Sequence, residues 1–172
     1  MHQVNETVRL RALAQDDLDR VLKWHNDAEL YSTLGGHFRY VSREAETEWL
    51  RRRLEARDEV NLAICLSDTA EHIGNIYLRN IDFVDRNAEL HAFIGQRENR
   101  GKGYGSAAVR LLAKHAFENL GLMRIYLYVL AKNSAAIKTY ERCGFVVEGR
   151  LRRHVLKAGI FEDVLVMGLC RE

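Results

Sequence analysis

Hydrophobic and polar positions along the chain follow two periods, and the changes between them mark out the elements. Residues 8–13 alternate enough for a strand. Leu18, Val21, Leu22 and His25 then recur at helical spacing, with Asp16 placed to cap the helix they define. Ser42 is a second N-cap candidate, with Glu44 and Glu46 in a favourable first turn and Ala45, Trp49 and Leu54 on one side. Residues 30–41, carrying Gly35 and Gly36, read as the loop between the two helices. Short strands are predicted over 61–66 and 73–79, separated by the polar turn Ser67-Asp68-Thr69, and a third over 88–95. From 103 to 118 Ala108, Leu111, Leu112 and His115 share one helix face, which stops near Gly121. Residues 124–129 set Ile125, Leu127 and Val129 against Tyr126 and Tyr128, the alternation of a strand. A helix from Ser134 ends at Gly144, and 146–154 with 161–169 form a terminal hairpin around Lys157-Ala158-Gly159. The order βααβββαβαββ is that of a mixed α/β (α+β) domain with one central sheet.

Composition narrows this further. The 172 residues fit one domain, and no repeat, linker or low-complexity stretch divides them. A hydrophobic fraction of 47% can build a core, and no apolar run is long enough to span a bilayer. The start, MHQVNETVRLRAL, has no signal-peptide pattern, which makes the cytoplasm the default location. Three widely spaced cysteines, Cys65, Cys143 and Cys170, argue against a disulfide framework or a zinc site. Proline is absent, so turns rest on the 12 glycines and on Asn, Asp and Ser.

The net charge of +2 conceals an asymmetry. Residues 97–157 hold 13 Lys and Arg against 4 Asp and Glu, and the remainder 13 against 20. Such a bias points to an anionic ligand on the later half, or to solvated helix faces. Basic runs with the interleaved aromatics of a nucleic-acid module are absent, so nucleic acid is not expected as a partner.

The sharpest local signal is Arg100-Gly101-Lys102-Gly103-Tyr104-Gly105-Ser106, between a strand and a helix. Unpaired N–H groups at a helix start form an anion site, and glycines let a phosphate approach the backbone. A Walker loop requires a closing Gly-Lys-Ser/Thr, which is missing. A dinucleotide loop requires G-x-G-x-x-G and a later acid, whereas here the glycines run G-x-G-x-G and no acid lies between Glu118 and Glu141.

Arg100-x-x-Gly103-x-Gly105 resembles the R/Q-x-x-G-x-G/A pyrophosphate loop of the Gcn5-related (GNAT) N-acetyltransferases. Residues 133–145, with Asn133, Ala136, Tyr140, Gly144 and Phe145, resemble that superfamily's N-x-x-A-x-x-x-Y-x-x-x-G-F segment in the right register. Leu10-Arg11-Ala12-Leu13, Asp16-Asp17 and Trp24-His25-Asn26-Asp27 look like the branch of ribosomal-protein N-terminal alanine and spermidine acetyltransferases.

The resemblance implies a sheet splayed around acetyl-CoA and direct acetyl transfer to a primary amine in a ternary complex, without a metal. It places the pyrophosphate on the N–H groups of Gly101 to Ser106 with Arg100 and Lys102 nearby, and pantetheine beside Phe93 and Ile94. An N–H there, that of Ile94, would polarise the thioester carbonyl. Asn133 would hold the pantetheine arm, and Lys138 and Arg142 the CoA phosphates. Tyr140 becomes the general acid, since a phenol is protonated at pH 7.

Glu89 and His91 share a strand face with Phe93 and are the general-base candidates. Some relatives carry a glutamate on the next strand, where Tyr128 stands here. His25, His115, Trp24 and Trp49 read as core.

The expected acceptor is a protein N-terminus or a small amine, with a polyamine or amino-sugar as the alternative. The loop Tyr31 to Tyr40 contains His37 and Arg39 but no acid; Glu89, Glu148, Glu162 and Asp163 are the carboxylates that could converge on a polyamine. A non-catalytic acyl-CoA sensor is the reading of another class. The resemblance leaves room for a homodimer or higher homo-oligomer.

Overall fold

The computed structural model describes residues 7–172. Seven strands form one sheet in the order β1-β2-β3-β4-β5-β7-β6. They are β1 (Val8–Ala12), β2 (Val60–Leu66), β3 (His72–Asp82), β4 (Asn87–Ile94), β5 (Arg124–Leu130), β6 (Val146–Lys157) and β7 (Ile160–Cys170). Every neighbouring pair is antiparallel except β4 and β5.

Helices α1 (Leu18–His25), α2 (Ala28–Thr33) and α3 (Arg43–Glu55) precede β2, α4 (Tyr104–Glu118) links β4 to β5, and α5 (Ser134–Glu141) follows β5. The order is thus the predicted one with one helix more. Asp27 explains the extra helix: its carboxylate accepts from the Leu30 N–H, and Leu30 is buried, so the start of the supposed loop is capped and anchored. The predicted cap, Asp16, is exposed; it is Asp17 that turns inward, accepting from the Ala14 N–H at 2.9 Å.

Each face of the sheet has its own core. On one, Ile64, Ile76, Leu78, Ala88 and Leu90 meet Ala108, Val109, Leu112, Ala113 and Ala116 of α4. Each fully buried Leu or Ile contributes about 1.5–3 kcal/mol. On the other face Ala63, Cys65 and Tyr77 meet Val21 and Leu50, from α1 and α3. The last two strands close through Ala158 and Gly159, both left-handed (φ 48° and 81°), as a two-residue hairpin whose twist matches its strands requires. Gly144, at φ 91°, is the predicted left-handed stop after α5.

A buried polar group ties α1 to the sheet. Asp17 receives both Arg11 guanidinium nitrogens at 2.7 and 2.8 Å and lies 3.0 Å from His72 Nδ1. Burial pushes its carboxyl up, but the hydrogen bonds from Arg11 and Ala14 and the charge of His72 outweigh this and hold it at about 2, against 3.8 ordinarily. A depressed carboxyl stabilises fully above its unfolded pKa, and that contribution disappears as pH falls through the folded value. Stability in urea should therefore drop between about pH 4 and pH 2, by on the order of 2 kcal/mol from this group. Asp17→Asn should flatten that limb, and parallel slopes for the two proteins would refute the assignment.

Candidate active site

The site begins where two strands part. β4 and β5 pair at three positions, Asn87, Ala88 and Glu89 against Arg124, Ile125 and Tyr126. Beyond them β4 stays with β3 as far as Ile94, while β5 follows β7 to Leu130. One edge of residues 90–94 is thereby left without a strand partner among the described residues. The Gly95 N–H donates to Ile73 O at 2.9 Å, so by alternation the Ala92 and Ile94 N–H groups face the opposite side, the opening.

Two close approaches hold this end of β4. A Cβ on Gly74 would sit 2.2 Å from Phe93 O, and one on Gly95 2.1 Å from the Trp24 indole. The cleft between the strands has a volume of about 1750 Å³. A pocket for one small molecule occupies about 300–1,000 Å³, so this one has room for two reactants.

The cofactor end is built by the glycine loop. Arg100 folds back on β4, its Nε donating to Ile94 O at 3.0 Å and a terminal nitrogen to Gly95 O at 2.8 Å. Gly101 and Gly103 are left-handed, at φ 74° and 85°. Gly103 is the N-cap of α4 and has no side chain to cap it, so the N–H groups of Tyr104, Gly105 and Ser106 lack intrahelical acceptors and add to the positive end of the dipole. Gly101, Gly103, Gly105 and Ser106 line the cleft; Tyr104 packs into the core and the exposed Lys102 stands outside the lining.

From the facing side α5 contributes Lys138 and Arg142, both exposed at the rim. Asn133 lines the cleft too, but its amide oxygen caps α5 through Ala136 N–H (3.1 Å) and its Nδ2 donates to Thr33 O (3.1 Å), tying α5 to α2. Tyr140 is half-buried on the same wall, its ring 5.8 Å from Phe145. Burial, and then the nearby Cys143 thiol, push its phenol up to about 12. Free helix-start N–H groups, an open β edge and two rim cations suit a diphosphate joined to an amide-bearing arm, so these residues fit acetyl-CoA.

At the other end Glu89, His91 and Phe93 share the face of Arg79, Tyr77 and Asn75, their partners on β3. Glu89 Oε1 lies 2.9 Å from His91 Nε2, and Asn80 donates to its other oxygen at 2.9 Å. The His91 contact, opposed by burial, leaves the Glu89 carboxyl below its usual range. Tyr128 faces them from β5, where the sequence placed it.

The far wall departs from expectation. His25 and Trp49, read as core, line the cleft together with Tyr31 and Tyr77, whereas Trp24 is buried as predicted. Of the four carboxylates expected to converge, only Glu89 reaches the cleft. Glu148 pairs with Arg124, Glu162 with Lys132 and Asp163 with Arg150, all outside the lining. Glu46 and Glu59 line it instead. For Glu46 a signal existed: it precedes Trp49 and Leu50 by three and four residues, on the side of α3 that the apolar pattern buries. The hairpin tip closes the roof, where Lys157 donates to Tyr31 O and Gly36 O.

A sheet opened beside a glycine-bounded helix start, with space for a nucleotide-bearing donor and a second reactant, defines an acyl-CoA-dependent transferase. The family model described as an acetyltransferase (GNAT) domain matches residues 7–146, and the chain belongs to that family. It is an acetyl-CoA-dependent N-acetyltransferase.

The spermidine N(1)-acetyltransferase of Vibrio cholerae is 29% identical over 94% of this chain and 91% of its own length. The probable N-acetyltransferase YjcK of Bacillus subtilis is 33% identical over 83% and 75%. A crystal structure of the Vibrio cholerae spermidine enzyme in complex with CoA and spermine superposes with a TM-score of 0.90 at 28% identity, covering 96% of each chain.

Gly103→Val should weaken acetyl-CoA binding by at least about tenfold in calorimetry, because a β-branched residue strains the left-handed position and crowds the anion site. Gly103→Asn, which tolerates that conformation, should lose less. Equal affinity of the valine variant and the parent would remove the loop from the site.

Proposed function

We propose that the chain acetylates a primary amine of a small polyamine, with Tyr140 as general acid and the Glu89–His91 pair as proton acceptor. The observation that carries this is the placement along one strand: the Ile94 N–H at the open edge of β4 and, three and five residues before it, the paired side chains of His91 and Glu89. The polyamine class rests on likeness over nearly the whole chain to spermidine acetyltransferases, and on an acceptor wall of aromatic rings and carboxylates.

Bound acetyl-CoA supplies an acetyl thioester. The Ile94 N–H donates to its carbonyl oxygen, where negative charge develops. His91, oriented by Glu89 through Nε2, takes a proton from the acceptor ammonium at its other ring nitrogen, freeing the lone pair that attacks the carbonyl carbon. As the C–S bond breaks, the Tyr140 O–H protonates the leaving sulfur, and the second proton lost by the acylated nitrogen goes through water to restore the phenol. Lys138 and Arg142 hold phosphate charge, while Arg100 keeps the end of β4 in place. Asn133 acts here as a cap and tie that sets the position of α5.

A protein N-terminus is the second reading. The putative ribosomal N-acetyltransferase YdaF of Bacillus subtilis is 36% identical, over 57% of this chain and 53% of its own length. A thiol-release screen against spermidine, spermine, amino-sugars and short peptides separates the two, and turnover of peptides alone would displace the polyamine. With a competent acceptor, Tyr140→Phe should lower kcat about 10- to 100-fold while leaving the Kd of acetyl-CoA within about twofold. An unchanged kcat, with chemistry rate-limiting, would exclude Tyr140 as the acid.

A further inference from the structure

We propose that Glu46 is the anchor for the second ammonium group of the acceptor, held among the rings of His25, Tyr31, Trp49 and Tyr77. The inference rests on the polyamine reading and names the residue that would give it selectivity.

Glu46 is 1% exposed, yet it lines the cleft. Both carboxylate oxygens lie 2.9 Å from the one ring nitrogen His25 Nδ1, which hydrogen-bonds to Oε2, and Oε1 has no hydrogen-bond partner of its own among the described residues. One N–H between two buried oxygens leaves most of a carboxylate's accepting capacity unmet, which is costly, and a cationic donor removes that cost.

The surroundings select the kind of cation. His25 and Trp49 have ring centroids 4.8 Å apart, His25 and Tyr31 6.2 Å, and Trp49 and Tyr77 6.4 Å. Burial, and then the negative charge of Glu46, push the Tyr31 phenol up. Aromatic rings beside one carboxylate favour an alkylammonium, whose methylenes pack on the rings while its N–H groups reach the oxygen.

The other acids of the cleft are engaged. Glu59 is held by Arg53 and Arg79, and Glu89 by His91 and Asn80. Tyr77 also stands opposite His91 in the β3–β4 register, and Glu46, Tyr77 and His91 line the same cleft. Two sites for nitrogen in one cleft, with aromatic rings beside them, suit a diamine whose nitrogens are joined by methylenes.

The test compares 1,4-diaminobutane with 4-amino-1-butanol, which has the same length and lacks the second ammonium. In Glu46→Gln, which keeps size and the His25 contact, the ratio of kcat/KM for diamine over amino alcohol should fall about 10- to 100-fold, mainly through KM. The amino alcohol and the Kd of acetyl-CoA should change little, and Glu46→Asp should recover much of the ratio. Equal losses on both amines, or none, would overturn the anchor.

A second readout needs no turnover: titration of the CoA-loaded protein with spermine, followed by tryptophan fluorescence. Binding that weakens about tenfold or more in Glu46→Gln supports the anchor even where no polyamine is acetylated, in which case the polyamine acceptor reading falls alone. Spermine binding that is absent, or equal in the two proteins, overturns the anchor.

Discussion

After Glu89 the parallel pairing of β4 with β5 stops, and the rest of the site follows from that divergence. A strand edge inside a folded domain normally finds a partner, because unpaired peptide groups removed from water are costly. Here β4 continues to Ile94 with one edge facing a cleft, and the fold keeps that edge straight by other means. Gly74 allows the β3 backbone to lie against Phe93, Gly95 accepts the face of Trp24, and Arg100 binds the carbonyls of Ile94 and Gly95. An extended ligand arm can then take the place of the absent strand.

The two ends of the cleft obey different electrostatics. At the cofactor end, the charge recognition proposed here comes from backbone: the first N–H groups of α4, preorganised by a left-handed glycine and aligned with the dipole. Lys138 and Arg142 add formal charge at the rim. Part of the remaining basic excess of the later half is engaged elsewhere, Arg124 with Glu148, Lys132 with Glu162, and Arg150 with Asp163. The charge asymmetry seen along the sequence is therefore not one cationic surface, and only a few of its members face the cleft.

Much of the fold was legible because it is local. Most period-two segments became strands within a residue or two, although β3 runs three residues further, to Asp82, and β6 runs on to Lys157 through an irregularity near Arg153, which no alternation announces. The missed helix α2 is six residues long, short enough that its existence depends on the Asp27 cap and the burial of Leu30 rather than on periodicity. The glycine loop was legible for the same reason of locality, since one contiguous stretch supplies the turn, the N–H groups and the helix start. Lys102 and Tyr104 lie within that stretch, yet neither lines the cleft, and Tyr104 packs against the core instead.

The acceptor end has no such contiguous stretch. His25, Tyr31, Glu46, Trp49, Tyr77 and His91 come from α1, α2, α3, β3 and β4, and beyond the pair Glu46 and Trp49 on α3 no helical or strand spacing relates them. Each taken singly has an ordinary explanation: a first-turn glutamate, a core tryptophan, a strand tyrosine. Their meeting depends on how far α1 and α3 stand from the sheet, a distance set by Val21, Leu50, Ala63 and Cys65 in the smaller of the two cores. On the proposed reading, donor recognition resides in a backbone device that sequence can display, while acceptor selectivity resides in the packing of one face. Changes in that small core can alter the acceptor and leave the cofactor loop untouched.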